Sequence, residues 1–185
     1  MSDGLPVNDA PTKLSRPEME VLEIYERLKQ RFPGQILETG GKLDRFAVVD
    51  AAGIVDVCRF LRDDPDTAID CLSNETGVDY KDRIEVVYHL FSYKHRHGCV
   101  LKVKLPRENP VLATVERIWS AANWMEREIF DLLGVTFQGH SDMRRILMPE
   151  DWPGYPLRKD FVEPLEYHGI STVRESPIIR LDQKN

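Results

Sequence analysis

The sequence predicts an α+β fold, a mostly antiparallel sheet with helices packed on one face, extended at its C-terminus by a long arm. Three observations point there. Several strand-like runs are joined by short polar turns, which pair strands antiparallel. Other segments carry apolar residues at helical spacing. No Gly-rich strand-to-helix turn appears, which disfavours a doubly wound nucleotide fold. At 185 residues, 42% hydrophobic and 30% charged, the chain suits one compact domain. The organisation expected is a loose lead over 1–16, an α+β body over 17–134 and an extended partner-binding arm over 135–185.

The lead is polar and carries Pro6 and Pro11. A first helix begins near Ser15 or Arg16 followed by Pro17, with Met19, Val21, Leu22, Tyr25, Leu28 and Phe32 at its spacing, and Pro33-Gly34 stops it. Gln35 to Glu38 and Arg45 to Val49 read as a hairpin around Thr39-Gly40-Gly41-Lys42. That Gly-Lys pair is no phosphate loop, because Ile36 and Leu43 stand where the motif needs Gly and a hydroxyl residue. Ala51 to Arg62 is a second helix with Ile54, Val55, Cys58 and Leu61 on one face, closed by Asp63-Asp64-Pro65. Strands are expected over Ala68–Asn74, Arg83–Tyr93 and Cys99–Leu105, the last two joined by Lys94 to Gly98.

Val115 to Leu133 gives the longest helical signal, its core stripe formed by Ile118, Ala122, Met125, Ile129, Leu132 and Leu133. Arg127 falls on the far side with Asp131 as its i,i+4 partner, and Gly134 is placed to end the helix. Trp124 shares that polar side. It is either an isolated surface Trp or a residue at which subunits meet. From Gly134 onward no period survives, yet Phe137, Ile146, Leu147, Trp152, Leu157 and Phe161 recur as apolar anchors. A solvated tail needs none of them, so the arm is expected to be a strap buried against its own body or a neighbouring protein of the same assembly.

The formal net charge of -6 argues against a nucleic-acid partner. No run reaches the roughly 18 apolar residues of a spanning helix, and Met1 to Arg16 has neither signal-peptide nor transit character. A cytoplasmic chain that meets the membrane only through other proteins is expected. Cys58, Cys71 and Cys99 are odd in number and widely spaced, so they suit small hydrophobes rather than a disulfide or cluster framework. Arg144, Arg145 and Arg158 are suited to clamping carboxylates. Glu126 and Glu128 diverge by about 200° on a helix and cannot form a catalytic pair. His95 with His97, or His140 with Asp142, lack a local third ligand for a metal.

Glu126-Arg127-Glu128-Ile129-Phe130-Asp131-Leu132-Leu133 is followed by Gly139-His140, Asp142, Arg144-Arg145-Ile146-Leu147, Pro149-Glu150-Asp151-Trp152, Gly154 and Pro156-Leu157-Arg158-Lys159-Asp160-Phe161. This series closely resembles the signature of the 30 kDa subunit family of NADH-quinone oxidoreductase, respiratory complex I, and the resemblance extends from about residue 17. Two positions depart: Ser141 and Val162 stand where relatives usually carry Pro.

The resemblance implies a peripheral-arm subunit without a cofactor of its own, in a complex that carries NADH, FMN, iron-sulfur clusters and quinone. It implies contact with the quinone-site subunit and with the cluster-bearing subunits beside it, on the cytoplasmic side of the bacterial inner membrane. The partner-binding candidates are Trp124, Arg127, His140, Asp142, Arg144 and Arg145, then Trp152, Arg158, Lys159 and Asp160. Two alternatives stay open: the same subunit type in a ferredoxin-fed or other donor-fed complex or a membrane-bound hydrogenase, and a stand-alone metal-dependent enzyme built on His95, His97 and His140.

Overall fold

The computed structural model of the protein describes residues 21–41 and 45–173. The expected lead, the helix start at Pro17 with Met19, and residues 174–185 of the arm lie outside them. Helix α1 (Val21–Arg31) buries Ile24, Tyr25 and Leu28. Leu22, expected on that face, is instead 46% exposed, since it lies about 100° around the helix from Val21. The Tyr25 hydroxyl crosses to the sheet, where it accepts from the Val100 N–H at 3.1 Å.

The expected hairpin is β1 (Ile36–Gly40) and β2 (Phe46–Val49), paired antiparallel with Gly40 opposite Phe46. Asp50 then accepts from the Ala52 N–H, opening a 3-10 turn over Ala51–Gly53 that runs into α2 (Ile54–Asp63). Helix α2 buries Ile54, Val57, Cys58 and Leu61. Val57 takes the place in the buried face that the sequence pattern gives to Val55.

Strands β3 (Cys71–Asp79), β4 (Arg83–Ser92) and β5 (His97–Pro106) complete a five-stranded sheet of order β1-β2-β5-β4-β3. Every neighbouring pair is antiparallel except β2 with β5. Along β4, Ile84, Val86, Tyr88 and Leu90 point to one face, level with Leu105, Val103, Leu101 and Cys99 of β5. All eight are buried, and they share one core with the apolar faces of the helices. The other face is mixed, with His89 and Lys104 exposed but Val48, Glu85 and Val87 buried, so the period of two sets which side chains enter the core beneath the helices rather than which are exposed. The strand expected at 68–74 runs on to Asp79, because pairing with β4 as far as Ile84 outweighs the weak strand preference of Glu75 and Gly77.

The longest helix is shorter than expected. Val115 to Ala121 forms turns, with Val115 and Trp119 buried and the Trp119 indole donating to the Ile69 carbonyl at 3.2 Å. Helix α3 proper is Ala122–Leu133. It lies against β3 at Gly77, where a Cβ would stand 2.3 Å from Leu133 Cδ1 and 3.1 Å from Ile129 Cγ2. Only glycine permits that approach.

Two short pairings were not expected from the sequence. Strand β6 (Val111–Ala113) runs parallel to β7 (Thr136–Gln138), burying Leu112 and Phe137. Near the end, β8 (Glu166–Tyr167) and β9 (Ile170–Ser171) make a small hairpin through His168 and Gly169, both at positive φ. No helix among the described residues is long and apolar enough to cross a membrane.

Candidate functional site

The arm lacks secondary structure over most of 139–165, yet its backbone is held at every few residues by the body. The first latch is Asp131, fully buried at the end of α3. Its Oδ2 accepts three successive backbone N–H groups, from Ile146 at 3.0 Å, Leu147 at 2.7 Å and Met148 at 2.8 Å. Its Oδ1 takes Arg145 Nη1 at 2.8 Å, and Arg145 Nη2 goes on to the carbonyls of Trp152 and Gly154, both at 3.1 Å. Burial works against the Asp131 carboxylate, but the backbone donors and Arg145 outweigh it and hold its pKa below the ordinary value.

The expected Arg127–Asp131 ion pair is therefore absent. Asp131 turns inward to the arm, and Arg127 donates to the carbonyls of Arg144 at 3.0 Å and Arg145 at 3.3 Å. A pair exposed along one helix face gains little, whereas four donors converging on one buried carboxylate gain more.

The second latch lies at the end of β3. Asp79 accepts the Lys159 N–H at 2.7 Å and pairs with Arg107, which also reaches Asp160 at 2.8 Å. Arg158 donates to the carbonyls of Leu133 at 2.7 Å and Arg107 at 3.2 Å, and the Leu157 N–H to that of Leu132 at 3.0 Å. The bonds to Leu132 and Leu133 satisfy carbonyls at the C-terminus of α3. Gly134, with φ 75°, closes the helix and leaves room for the Tyr155 ring between Arg145 and Arg158.

The third latch is His140. Its Nε2 donates to the Asn123 carbonyl at 3.0 Å and its Nδ1 accepts from the Asp142 N–H at 2.9 Å, the pattern of a neutral ring. Ser141 beside it donates its backbone N–H to Glu116 at 2.7 Å. A proline at this position could not donate, so Ser141 adds a tie.

With the polar backbone secured inside, apolar side chains are left facing out. Trp124 is 66% exposed, with Arg127 over its ring at 5.5 Å; Leu147 and Leu157 are both 60% exposed, and Val162, Leu165 and Ile170 more so. Arg144 also faces out, clamping its neighbour Asp142 bidentately at 2.6 and 2.7 Å. Trp152 packs on Tyr167 at 5.0 Å.

Likeness to known proteins decides what kind of chain carries this arm. The family model for "Respiratory-chain NADH dehydrogenase, 30 Kd subunit" matches residues 47–167, which span most of the sheet, α3 and the latched arm. The chain belongs to that 30 kDa subunit family. It is 53% identical over 141 residues to the C-type subunit of the NADH-quinone oxidoreductase of Roseiflexus castenholzii, covering 74% of this chain and 81% of the relative. Its identity to the corresponding Geobacter sulfurreducens protein is 39% over 140 residues, 73% of this chain and 85% of the relative. Among solved structures it resembles a chain of the membrane-bound sulfane sulfur reductase, an archaeal respiratory membrane complex, with TM-score 0.64 and 28% identity over 76% of this chain and 85% of that one. It also resembles the trypsin-resistant fragment of Nqo5, with TM-score 0.52 and 28% identity over 64% of this chain and 98% of that one.

In this 30 kDa family member the candidate residues divide by what they touch. Arg127, His140, Arg145 and Arg158 are engaged within the chain, and Lys159 is engaged there through its backbone, whereas Trp124, Asp142, Arg144 and Asp160 present at least part of themselves to solvent. His95 and His97 stack at 5.5 Å, but each Nε2 already meets a carbonyl, of Pro65 at 2.9 Å and Thr67 at 2.7 Å. His140 is tied instead to Asn123 of α3, and no group of three His, Cys, Asp or Glu among the described residues is placed to hold a metal ion. Sequence reasoning missed Asp79, Arg107 and the buried Glu126. Glu126 had a signal, because it lies four residues after Ala122 and three before Ile129, inside the apolar stripe.

Proposed function

We propose that the chain is a non-redox scaffold subunit in the peripheral arm of a proton-pumping NADH:quinone oxidoreductase. It carries no cofactor, and electrons pass from NADH through FMN and iron-sulfur clusters to quinone on neighbouring subunits. Its exposed Trp124, Leu147, Leu157 and the hairpin residue Ile170, with the charged Arg144 and Asp160, dock on the quinone-site subunit and on the cluster-bearing subunits beside it. It meets the cytoplasmic side of the membrane only through them.

The observation that carries this reading is the division of labour in the arm. Its polar backbone is satisfied internally while large apolar side chains remain exposed along it, which suits a surface awaiting a protein partner. Replacing Leu147 and Leu157 together by Asp should leave the free chain folded and deplete the full-size complex on native gels of membranes. A normal amount of that complex would count against the reading. The purified chain alone should reduce no quinone with NADH.

A second reading, the same subunit type in a complex fed by another donor, draws on the likeness to the sulfane sulfur reductase chain at 28% identity. The 53% identity to an NADH-quinone oxidoreductase chain favours the first. Chains that copurify with this one separate the two.

A further inference from the structure

Beneath α3 the core holds two carboxyl groups that the docking surface does not use. Glu75, in the middle of β3, points to the helix-covered face: its cross-strand partner is Tyr88, and two residues on, Gly77 touches Leu133 of α3. It is 4% exposed, and neither of its carboxyl oxygens has a hydrogen-bond donor among the described residues. Glu126, on the face of α3 that meets β3, is fully buried.

Their surroundings differ. Glu126 accepts from the Thr114 hydroxyl at 2.5 Å and the Val115 N–H at 2.8 Å. The Thr114 oxygen itself accepts from the Glu116 N–H, so its proton is free to point at Glu126. Those donors favour the ionised form at Glu126; at Glu75 the Tyr88 hydroxyl lies opposite and pulls the same way, but burial outweighs it.

Among the described residues, the titratable groups around the pair offer no compensating cation. They are Tyr88 on β4, Cys58 on α2, and Glu116 and His140 beside Glu126, the last bonded as a neutral ring. Two carboxylates buried in one dry core, without Lys or Arg beside them among the described residues, is an arrangement a fold avoids by keeping one proton.

We propose that Glu75 and Glu126 form a buried proton-binding site in which, above neutral pH, Glu75 stays a neutral carboxylic acid while Glu126 is the carboxylate, and that this proton keeps α3 seated on the sheet. Burial first and the Glu126 charge second push the Glu75 pKa well up, and burial raises that of Glu126 to about 7 against its two donors. Because the arm is latched to the end of α3, the site underlies the arm as well.

Infrared spectroscopy of the full chain tests this. At about pH 8.5, above the Glu126 value, the parent should show the carbonyl band of a protonated, buried carboxyl group; Glu75→Gln, which keeps the shape of the acid, should lose it, and Glu126→Gln should retain it. The thermal midpoint of the parent should fall as pH rises above about 8.5, and that of Glu75→Gln should fall less over the same span. A parent without the band overturns the proposal, as does a band that survives in Glu75→Gln and vanishes in Glu126→Gln. Should Glu75→Gln fail to fold, the parent band and its retention in Glu126→Gln carry the decision.

Discussion

Asp131 and Arg145 meet at 2.8 Å at the C-terminal end of α3, and the same carboxylate gathers the backbone N–H groups of Ile146, Leu147 and Met148. Removing the carboxylate strands a largely buried guanidinium and three amides at once. Asp131→Ala should therefore destabilise the free chain by about 3–5 kcal/mol, read from urea unfolding. The acid limb of stability follows from the same site. Its folded pKa lies below the unfolded one, so the unfolded chain binds the proton more readily there. Its stabilisation is complete above about pH 4 and is lost as pH falls through the folded pKa. Asp131→Asn should lose part of that acid dependence, and an unchanged acid limb would refute the assignment.

Arg144 and Arg158 should behave differently although both belong to the same signature. Arg144 is 70% exposed at its side chain, and its ion pair among the described residues is with Asp142, two residues away. Arg144→Ala should change free-chain stability by no more than about 0.5 kcal/mol. Arg158 instead caps carbonyls of Leu133 and Arg107, and its loss should cost about 1–3 kcal/mol. Both should lower the amount of full-size complex on native gels. Equal stability of the two variants in urea would contradict the latch described for Arg158.

The parts of this fold that are legible in the sequence are those whose pattern is local. The β1–β2 hairpin, α2 and the β4–β5 pair each carry their period and their turn within a short span of chain. Strands β6 and β7 are not legible, because three residues hold no period and their partner lies more than twenty positions away. Asp131 misleads for a related reason. On the helix it is simply a charged residue four after Arg127, and what buries it is a set of backbone donors from the arm. The arm's anchors are legible as apolar residues, but not which way they face. Phe137 turns in because β7 pairs with β6, and Leu157 turns out where its backbone is tied to Leu132.

Gly134 offers the most direct probe of how tightly the arm sits on α3. Its φ of 75° is costly for any residue with a Cβ, and that atom would stand 2.5 Å from Cε2 of Tyr155. Gly139, at φ 82°, has the same backbone problem with open space around it, since its nearest neighbour is Thr114 Cγ2 at 3.6 Å. Gly139→Ala should then cost only the backbone part, about 1 kcal/mol. Gly134→Ala should cost that plus about 1–3 kcal/mol for displacing the ring. Tyr155 lies between Arg145 and Arg158, so its displacement should loosen both arginines from their acceptors. Limited trypsin digestion reads this as faster cleavage after those two residues in Gly134→Ala than in Gly139→Ala. Equal cleavage rates would mean that the arm is held by its hydrogen bonds alone and that the Tyr155 ring plays no part in seating it.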